Sequence, residues 1–379
     1  MALPPNLVDC QHRTTCGACS LLRQPYGRQL IQKQRWLQEA LDGPLRLRRE
    51  QVLETVPSPK IEGYRSRAKM AISTDRQRYS ALGYFQRRSR EVVDAPDCRV
   101  LVPELLETTE QLRTLLNSPV KVPFLLRHID LRCGTDPTRQ HLTLVVKSED
   151  LPALPVDELV DNCPHLTGIA VNRNPSGGRQ VIKGPIDALW GAREVWVETE
   201  GLSLRVSPGS FFQVNLELLP EIHGRMRDFL GTGRLLVDLY AGVGTHGLAL
   251  RDGFGKVLCI EGVRRAVADA RATIAKSRID GVEVVASPVL RALRRLHNER
   301  PDAVVLNPSA VGAEPQVLQA ICRSPARRVA YLSCSPATLA RDLGVLVKGG
   351  FSLHTVQALD MMPQTSQVEA LALLNRNRR

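Results

Sequence analysis

Cys334 ends the apolar run Val329-Ala-Tyr-Leu-Ser333 and precedes a helical pattern opened by Ser335-Pro336. In an open α/β sheet the reaction crevice lies outside the carboxyl ends of the strands, so a thiol placed there faces whatever the sheet binds. Cys334 is therefore read as a nucleophile, although by residue type alone it would be a small buried hydrophobe. Glu369 stands at the mouth of the last apolar run, Ala370-Leu-Ala-Leu-Leu374. A carboxylate and a thiol facing one pocket make a base and nucleophile pair. A second constellation lies at the other end of the chain, where Cys10, Cys16 and Cys19 are spaced C-x5-C-x2-C. The turn Cys16-Gly-Ala-Cys19 lets two thiolates reach one metal centre, and Gly17 eases the bend. The fourth ligand must come from afar, and Cys98 is the best candidate. Structural zinc and a cubane iron-sulfur cluster both fit that spacing.

The elements that must position these groups follow from periodicity. From Ser207 onward strands and helices alternate, which predicts a parallel, doubly wound sheet. Leu235-Leu-Val-Asp238-Leu-Tyr240 runs into Gly242-x-Gly244-x-x-Gly247, an apolar strand, a glycine turn and a helix, as in a mononucleotide-binding unit. Glu261 closes the next strand, where a carboxylate can accept both ribose hydroxyls. Val282–Ala286 and Asp302–Leu306 supply strands three and four, the latter ending in Asn307-Pro308, and Cys334 ends strand five.

The first half is organised differently. A helix with Leu30, Ile31, Trp36, Leu37 and Leu41 on one face is predicted over 21–41, ending near Gly43. Tyr64-Arg-Ser-Arg-Ala-Lys-Met-Ala-Ile72 reads as a strand with one cationic face, and Leu142–Lys147 as another strand of a mixed sheet. Leu82–Arg90 places Tyr84 and Phe85 beside three arginines, which suits an unstacked nucleotide or else a solvated hairpin. An interdomain boundary is expected between Arg193 and Val206, giving an α+β region over 1–200 and an α/β domain over 201–379.

Composition bounds the partners. The 379 residues include 51 Lys and Arg against 39 Asp and Glu, a net charge of +12 that points to a polyanion, because neutralising phosphates releases condensed counterions. Neither a leader sequence nor a membrane span is recognisable, so a cytoplasmic location and no membrane partner are expected. In that compartment the nine cysteines are expected to act as ligands or nucleophiles rather than disulfides. Nothing in the sequence sets the oligomeric state, and a monomer is the simplest expectation.

Taken together these motifs resemble the S-adenosylmethionine-dependent RNA uracil-5-methyltransferases. The likeness spans nearly the whole chain, through the cysteine cluster with Cys98, the Tyr64-Arg-Ser-Arg-Ala-Lys strand, Ser210-Phe-Phe-Gln213-Val-Asn215, Asp238-Leu-Tyr-Ala-Gly242, Ser333-Cys334-Ser-Pro-Ala-Thr and Pro363-Gln-Thr-Ser-Gln-Val-Glu369. It implies a Rossmann-like methyltransferase domain behind an N-terminal α+β domain that carries a four-cysteine cluster. It further implies a [4Fe-4S] cluster on Cys10, Cys16, Cys19 and Cys98, and S-adenosylmethionine held by Gln213, Tyr240, Glu261 and Asn307. Cys334 would be the nucleophile and Glu369 the general base. Cys10 leaves no room for the extra barrel-like RNA-binding domain of larger members, so the chain resembles the shorter group acting on 23S rRNA, with tRNA as the alternative substrate. Arg341 and the cationic methyl donor are expected to favour the Cys334 thiolate.

Four departures from the family pattern matter. Asn307-Pro-Ser-Ala-Val311 stands where Pro-Pro-Arg usually follows, removing a cation from the crevice. Ser287 and Pro288 replace an acid that holds adenine, Gln367 replaces a His two before the base, and Ala241 replaces a frequent Cys. A working enzyme with a loosened cofactor pocket is the expectation. A cluster-bearing RNA-binding protein with a decayed methyltransferase site is the reading from a different class.

Overall fold

Runs of Leu, Val and Ile without alternation need both faces covered, and here they form the centre of an eight-stranded sheet. The computed structural model describes residues 7–45, 49–75, 78–118, 125–176, 178 and 180–377. From edge to edge the sheet reads Val52–Val56, Phe351–Leu359, Glu369–Arg376, Arg328–Ser333, Ala303–Leu306, Gly233–Leu239, Phe254–Glu261 and Val282–Ala286. Every pairing is parallel except the two made by Glu369–Arg376. Strand order reverses between Gly233–Leu239 and Ala303–Leu306, and a crevice opens at such a switch point. Leu37, Leu41, Val317, Leu339 and Leu343 pack on one face of the sheet; Ile222 and Met226, from the helix Leu219–Leu230, pack on the other.

The second sheet has seven strands, in the order Val92–Asp94, Arg78–Phe85, Arg67–Asp75, Leu126–Cys133, Gln140–Val146, Leu166–Arg173, Ile186–Gly191. Among the described residues its one parallel pair is Gln140–Val146 with Leu166–Arg173. Alternation puts Ala68, Met70, Ile129 and Leu131 into a core closed by the helices Pro103–Leu116 and Val156–Asn162. Between the sheets lies a hairpin, Val195–Thr199 with Leu202–Val206. Its two-residue turn, Glu200-Gly201, has φ of 48° and 74°, the left-handed pair that matches the twist of a tight hairpin.

The two units interleave along the chain. The helix Tyr26–Leu45 and the strand Val52–Val56, expected with the N-terminal region, are built into the eight-stranded sheet and its core. Fully buried Lys33 pairs with fully buried Asp360 at 2.5 Å and also donates to the Met362 carbonyl at 2.9 Å. Gln29 exchanges two hydrogen bonds with Gln364, at 2.8 and 2.9 Å. The helix therefore grips the segment that leads into Glu369. Among the described residues no helix is long and apolar enough to cross a membrane.

Candidate active site

Antiparallel register brings the two reactive groups together. Ser333 lies opposite Ala370, so the next pair outward along the same ladder is Cys334 and Glu369. Residues directly opposite in an antiparallel pair have Cβ atoms about 5 Å apart, within side-chain reach. Glu369 is 6% exposed, and burial pushes its carboxyl up to about 8. The Cys334 thiol is half-buried; burial first, and then the neighbouring Glu369 carboxylate, push it above its ordinary value. Ser335 caps the following helix, Pro336–Lys348, by accepting from the Thr338 amide, and Pro336 needs no amide partner at the first turn.

The expected thiolate-favouring role of Arg341 is corrected by its position. Its guanidinium is spent on the Asp342 carboxylate at 2.7 Å and the Val311 carbonyl at 2.9 Å, and no cation counts among the influences on the Cys334 thiol. Arg341 instead belongs to the loop after Asn307. That loop is tied down at several points: Asp342 Oδ2, fully buried, accepts from the Ala313 amide at 2.8 Å and the Tyr331 hydroxyl at 2.5 Å. Thr338 donates to the Ala310 carbonyl, and Tyr240 to Glu314. Gly312, at φ 81°, admits no side chain, since a Cβ would stand 2.4 Å from Arg341 and 2.5 Å from Asp342. A cation is thus returned to the loop from the helix beside it.

Tyr240, Glu261 and Asn307 sit at the carboxyl ends of three neighbouring strands. Glu261 Oε2 accepts from the Gly242 amide at 2.8 Å and Oε1 from the Val263 amide at 2.6 Å, which fixes the carboxylate and leaves lone pairs on both oxygens. Asp238, fully buried, accepts from the Gly247 amide, and burial pushes its carboxyl up to about 7. Gln213 is carried by the loop Ser207–Asn215. That loop is held by Asp269, which accepts from the hydroxyls of Ser207 and Ser210, and by Arg132, which donates to their carbonyls at 3.2 Å. Ser287, at the end of strand three, donates its hydroxyl to Pro288.

Sequence reasoning passed over three further groups at this site. Asn307 Nδ2 meets His246 Nε2 at 3.2 Å, His246 Nδ1 meets His223 Nε2 at 3.1 Å, and His223 Nδ1 meets Glu200. Only the Glu200-Gly201 turn signal could have marked the last of these. Phe211, beside Gln213, is 63% exposed, unusual for an unpaired phenyl ring.

The four N-terminal cysteines line one pocket with Leu22, Tyr84, Ala95 and Val100. Among the described residues none of the four is in a disulfide, and the nearby His12 ring is engaged by Asp97 at 2.7 Å. Among the described residues no group of three or more His, Cys, Asp or Glu is assembled as ligands of a metal ion. A set of soft thiol donors in an apolar wall still fits a thiophilic centre in chemistry. This segment also reaches the turn before Glu369: the Leu21 amide donates to the Gln364 carbonyl and the Ser366 amide to the Ser20 hydroxyl, both at 2.9 Å. The expected pair of stacking rings is corrected, because neighbouring residues of a strand face opposite ways. Tyr84 turns its hydroxyl inward beside Cys98, while Phe85 stays 45% exposed, edge-on to His128.

The chain is similar to known proteins along nearly its whole length. The family model described as tRNA (Uracil-5-)-methyltransferase matches residues 192–377. A 23S rRNA (uracil(1939)-C(5))-methyltransferase of Pseudomonas entomophila is 33% identical over 97% of this chain and 79% of its own length. An uncharacterized RNA methyltransferase of Gloeobacter violaceus is 32% identical over 98% of this chain and 83% of its own. Among solved structures, the Pyrococcus abyssi tRNA (uracil-54, C5)-methyltransferase in complex with S-adenosyl-L-homocysteine superposes with a TM-score of 0.78 at 27% identity, covering 97% of this chain and 86% of that one. The paired thiol and carboxyl at the end of the sheet thus stand in a chain that belongs to the S-adenosylmethionine-dependent RNA (uracil-5-)-methyltransferases.

Proposed function

We propose that the protein methylates carbon 5 of one uridine in 23S rRNA through a covalent Cys334 adduct, with Glu369 as the base. The observation that carries this reading is the cross-strand juxtaposition of a half-buried thiol and a buried carboxyl at the carboxyl end of the sheet. Carbon 5 of uracil is a poor nucleophile. Addition of Cys334 Sγ to carbon 6 makes a carbon–sulfur bond and pushes the ring electrons toward carbon 5 as an enolate. S-adenosylmethionine, when bound, would supply the electrophilic methyl group, its sulfonium–methyl bond breaking as the bond to carbon 5 forms and leaving S-adenosylhomocysteine. Glu369 then takes the proton from carbon 5, and the sulfur–carbon bond breaks to release the thiolate and the aromatic ring. A carboxyl lifted to about 8 is matched to that proton transfer near neutral pH.

Gln213, Tyr240, Glu261 and Asn307 are the residues proposed to hold the cofactor. Exposed Phe211 is proposed to stack on a base drawn from its neighbours. Cys10, Cys16, Cys19 and Cys98 would hold a [4Fe-4S] cluster that staples the N-terminal segment against the Gln364–Ser366 turn; four thiols on one pocket support this. The N-terminal α+β region and residues beyond about 200 are proposed to divide RNA recognition from chemistry. Identity to an rRNA enzyme across 97% of the chain favours rRNA; the structural likeness to a tRNA enzyme keeps tRNA as the second substrate to test.

The test incubates protein with labelled S-adenosylmethionine and either 23S rRNA or tRNA lacking 5-methyluridine. Label at carbon 5 of rRNA uridine, lost in Cys334→Ala, is expected. RNA binding with no labelled product would sink the enzymatic reading, and label confined to tRNA would replace the substrate. Glu369→Gln should accumulate an RNA adduct stable to denaturation. For the cluster, anaerobic protein should be brown and lose colour in Cys16→Ser; a colourless, zinc-loaded preparation would overturn it.

A further inference from the structure

The chain Glu200, His223, His246 and Asn307 draws one residue from each of four elements: the hairpin turn, the helix Leu219–Leu230, the short helix Thr245–Ala249 and the end of the strand Ala303–Leu306. His223 is fully buried and His246 is 3% exposed; their rings meet edge to face with centroids 5.3 Å apart. None of the three residues before Asn307 has a part in the chemistry described above. Two buried imidazoles in hydrogen-bonded series are costly unless every donor meets an acceptor, so the series carries directional information.

A neutral imidazole has one N–H and one lone pair, so fixing one end of such a series fixes every link. The Glu200 carboxylate offers only lone pairs, which makes His223 Nδ1 the donor. Arg227 meets the same carboxylate at 2.8 Å. Burial pulls the Glu200 carboxyl upward, but the hydrogen bonds from His223 and Arg227 outweigh it and hold the group below its usual range. The Asn307 amide nitrogen carries only hydrogens and faces His246 Nε2 at 3.2 Å, so Nε2 accepts, His246 Nδ1 donates across 3.1 Å and His223 Nε2 accepts. Burial above all pushes His246 down to about 3, so its ring has a single N–H. His246 Nε2 keeps a lone pair, and the Asn307 atom that satisfies it is the amide nitrogen. The tautomers and the amide orientation are assigned from the network, with the acceptor-only Glu200 at one end and the donor-only Asn307 nitrogen at the other.

We infer that Glu200, His223 and His246 form a polarised relay that turns the Asn307 amide nitrogen into the protein and presents Asn307 Oδ1 to the crevice as an acceptor for an N–H or O–H of bound S-adenosylmethionine. The inference rests on Asn307 as a cofactor contact. The three upstream groups are positioning residues. The relay also explains how an amide can serve at a strand end in this chain: a side-chain amide can flip at little cost, and a directional partner removes that freedom. His246 lies inside the Gly242-x-Gly244-x-x-Gly247 turn, so the relay couples the turn after strand one to the turn after strand four.

The full chain labelled with 15N-histidine tests this by long-range proton–nitrogen correlation, with His223→Gln and His246→Gln assigning the signals. Both histidines are expected as Nδ1–H tautomers, the minor form in water. An Nε2–H on His246 would mean a charged His223 and a reversed relay, and would overturn the inference. Glu200→Gln should abolish the single tautomer and raise KM and Kd for S-adenosylmethionine roughly fivefold, with a smaller change in kcat. His246→Phe, which keeps ring volume, should raise them by a similar factor. Nδ1–H tautomers with unchanged cofactor affinity in both variants would refute Asn307 as a cofactor contact while leaving the relay standing. Lost thermal stability without lost affinity would reduce the series to a structural brace and sink the positioning role.

Discussion

Replacing Glu369 by Gln tests the environment of the proposed base without any RNA. A carboxyl whose value is lifted by burial keeps its proton in the folded chain at a pH where the unfolded chain has released it. The unfolded state then binds fewer protons than the native one, so stability falls as pH rises. The window runs from the ordinary 4.5 to about 8. At about 1.4 kcal/mol per pH unit, the interval amounts to about 5 kcal/mol of stability lost between acid and mildly alkaline solution. Gln has the shape of the protonated acid and cannot ionise, so the cost of burying a neutral polar group largely cancels between the two chains. Urea unfolding of both proteins at pH 5, 7 and 8.5 should therefore show the variant gaining on wild type by less than about 1 kcal/mol at pH 5 and by several at pH 8.5. A difference that stays constant with pH would refute the claim that Glu369 is lifted by burial, and with it the match of this carboxyl to neutral proton transfer.

Three further outcomes follow from neighbouring contacts. The Cys334 thiol is raised, not lowered, so the rate of adduct formation on RNA should climb with pH through neutrality; a plateau already reached at pH 6 in a stopped adduct assay would contradict that. Lys33→Met strands the buried Asp360 carboxylate and should cost about 3–5 kcal/mol in chemical unfolding. A loss under 1 kcal/mol would show that the pair is not what clamps the helix to the Glu369 segment. Gly312→Ala sets a methyl group against Arg341 and Asp342 at a left-handed backbone position. It should destabilise the fold by about 1–3 kcal/mol and raise KM for S-adenosylmethionine, whereas wild-type stability and KM would show that the Asn307 loop tolerates displacement.

Local patterns made much of the site legible. The apolar strand before Asp238, the glycine turn and the strand ends at Glu261, Asn307 and Cys334 are all short-range signals, written within a few residues of the groups they position. Side-chain facing was less legible: Tyr84 and Phe85 read as one aromatic pair, but strand alternation divides them between the cysteine pocket and the surface. The departures at Ser309 to Val311 read as a cation lost from the crevice, whereas Arg341, Asp342 and Thr338 tie the loop from the next helix. That helix lies some thirty residues further along the chain.

What the amino-acid order determined alone is the list of reactive groups and the strand or turn each one ends. Tertiary structure decided which of them meet. Cys334 and Glu369 are neighbours only because the last strand inserts antiparallel beside the fifth. The helix of Lys33 joins the methyltransferase sheet because a buried ion pair forms across the fold. Glu200, His223, His246 and Asn307 form a series only because hairpin, helix and strand end converge. Periodicity reports how one segment faces its surroundings; contacts between distant segments depend on register and packing, which no local spacing encodes.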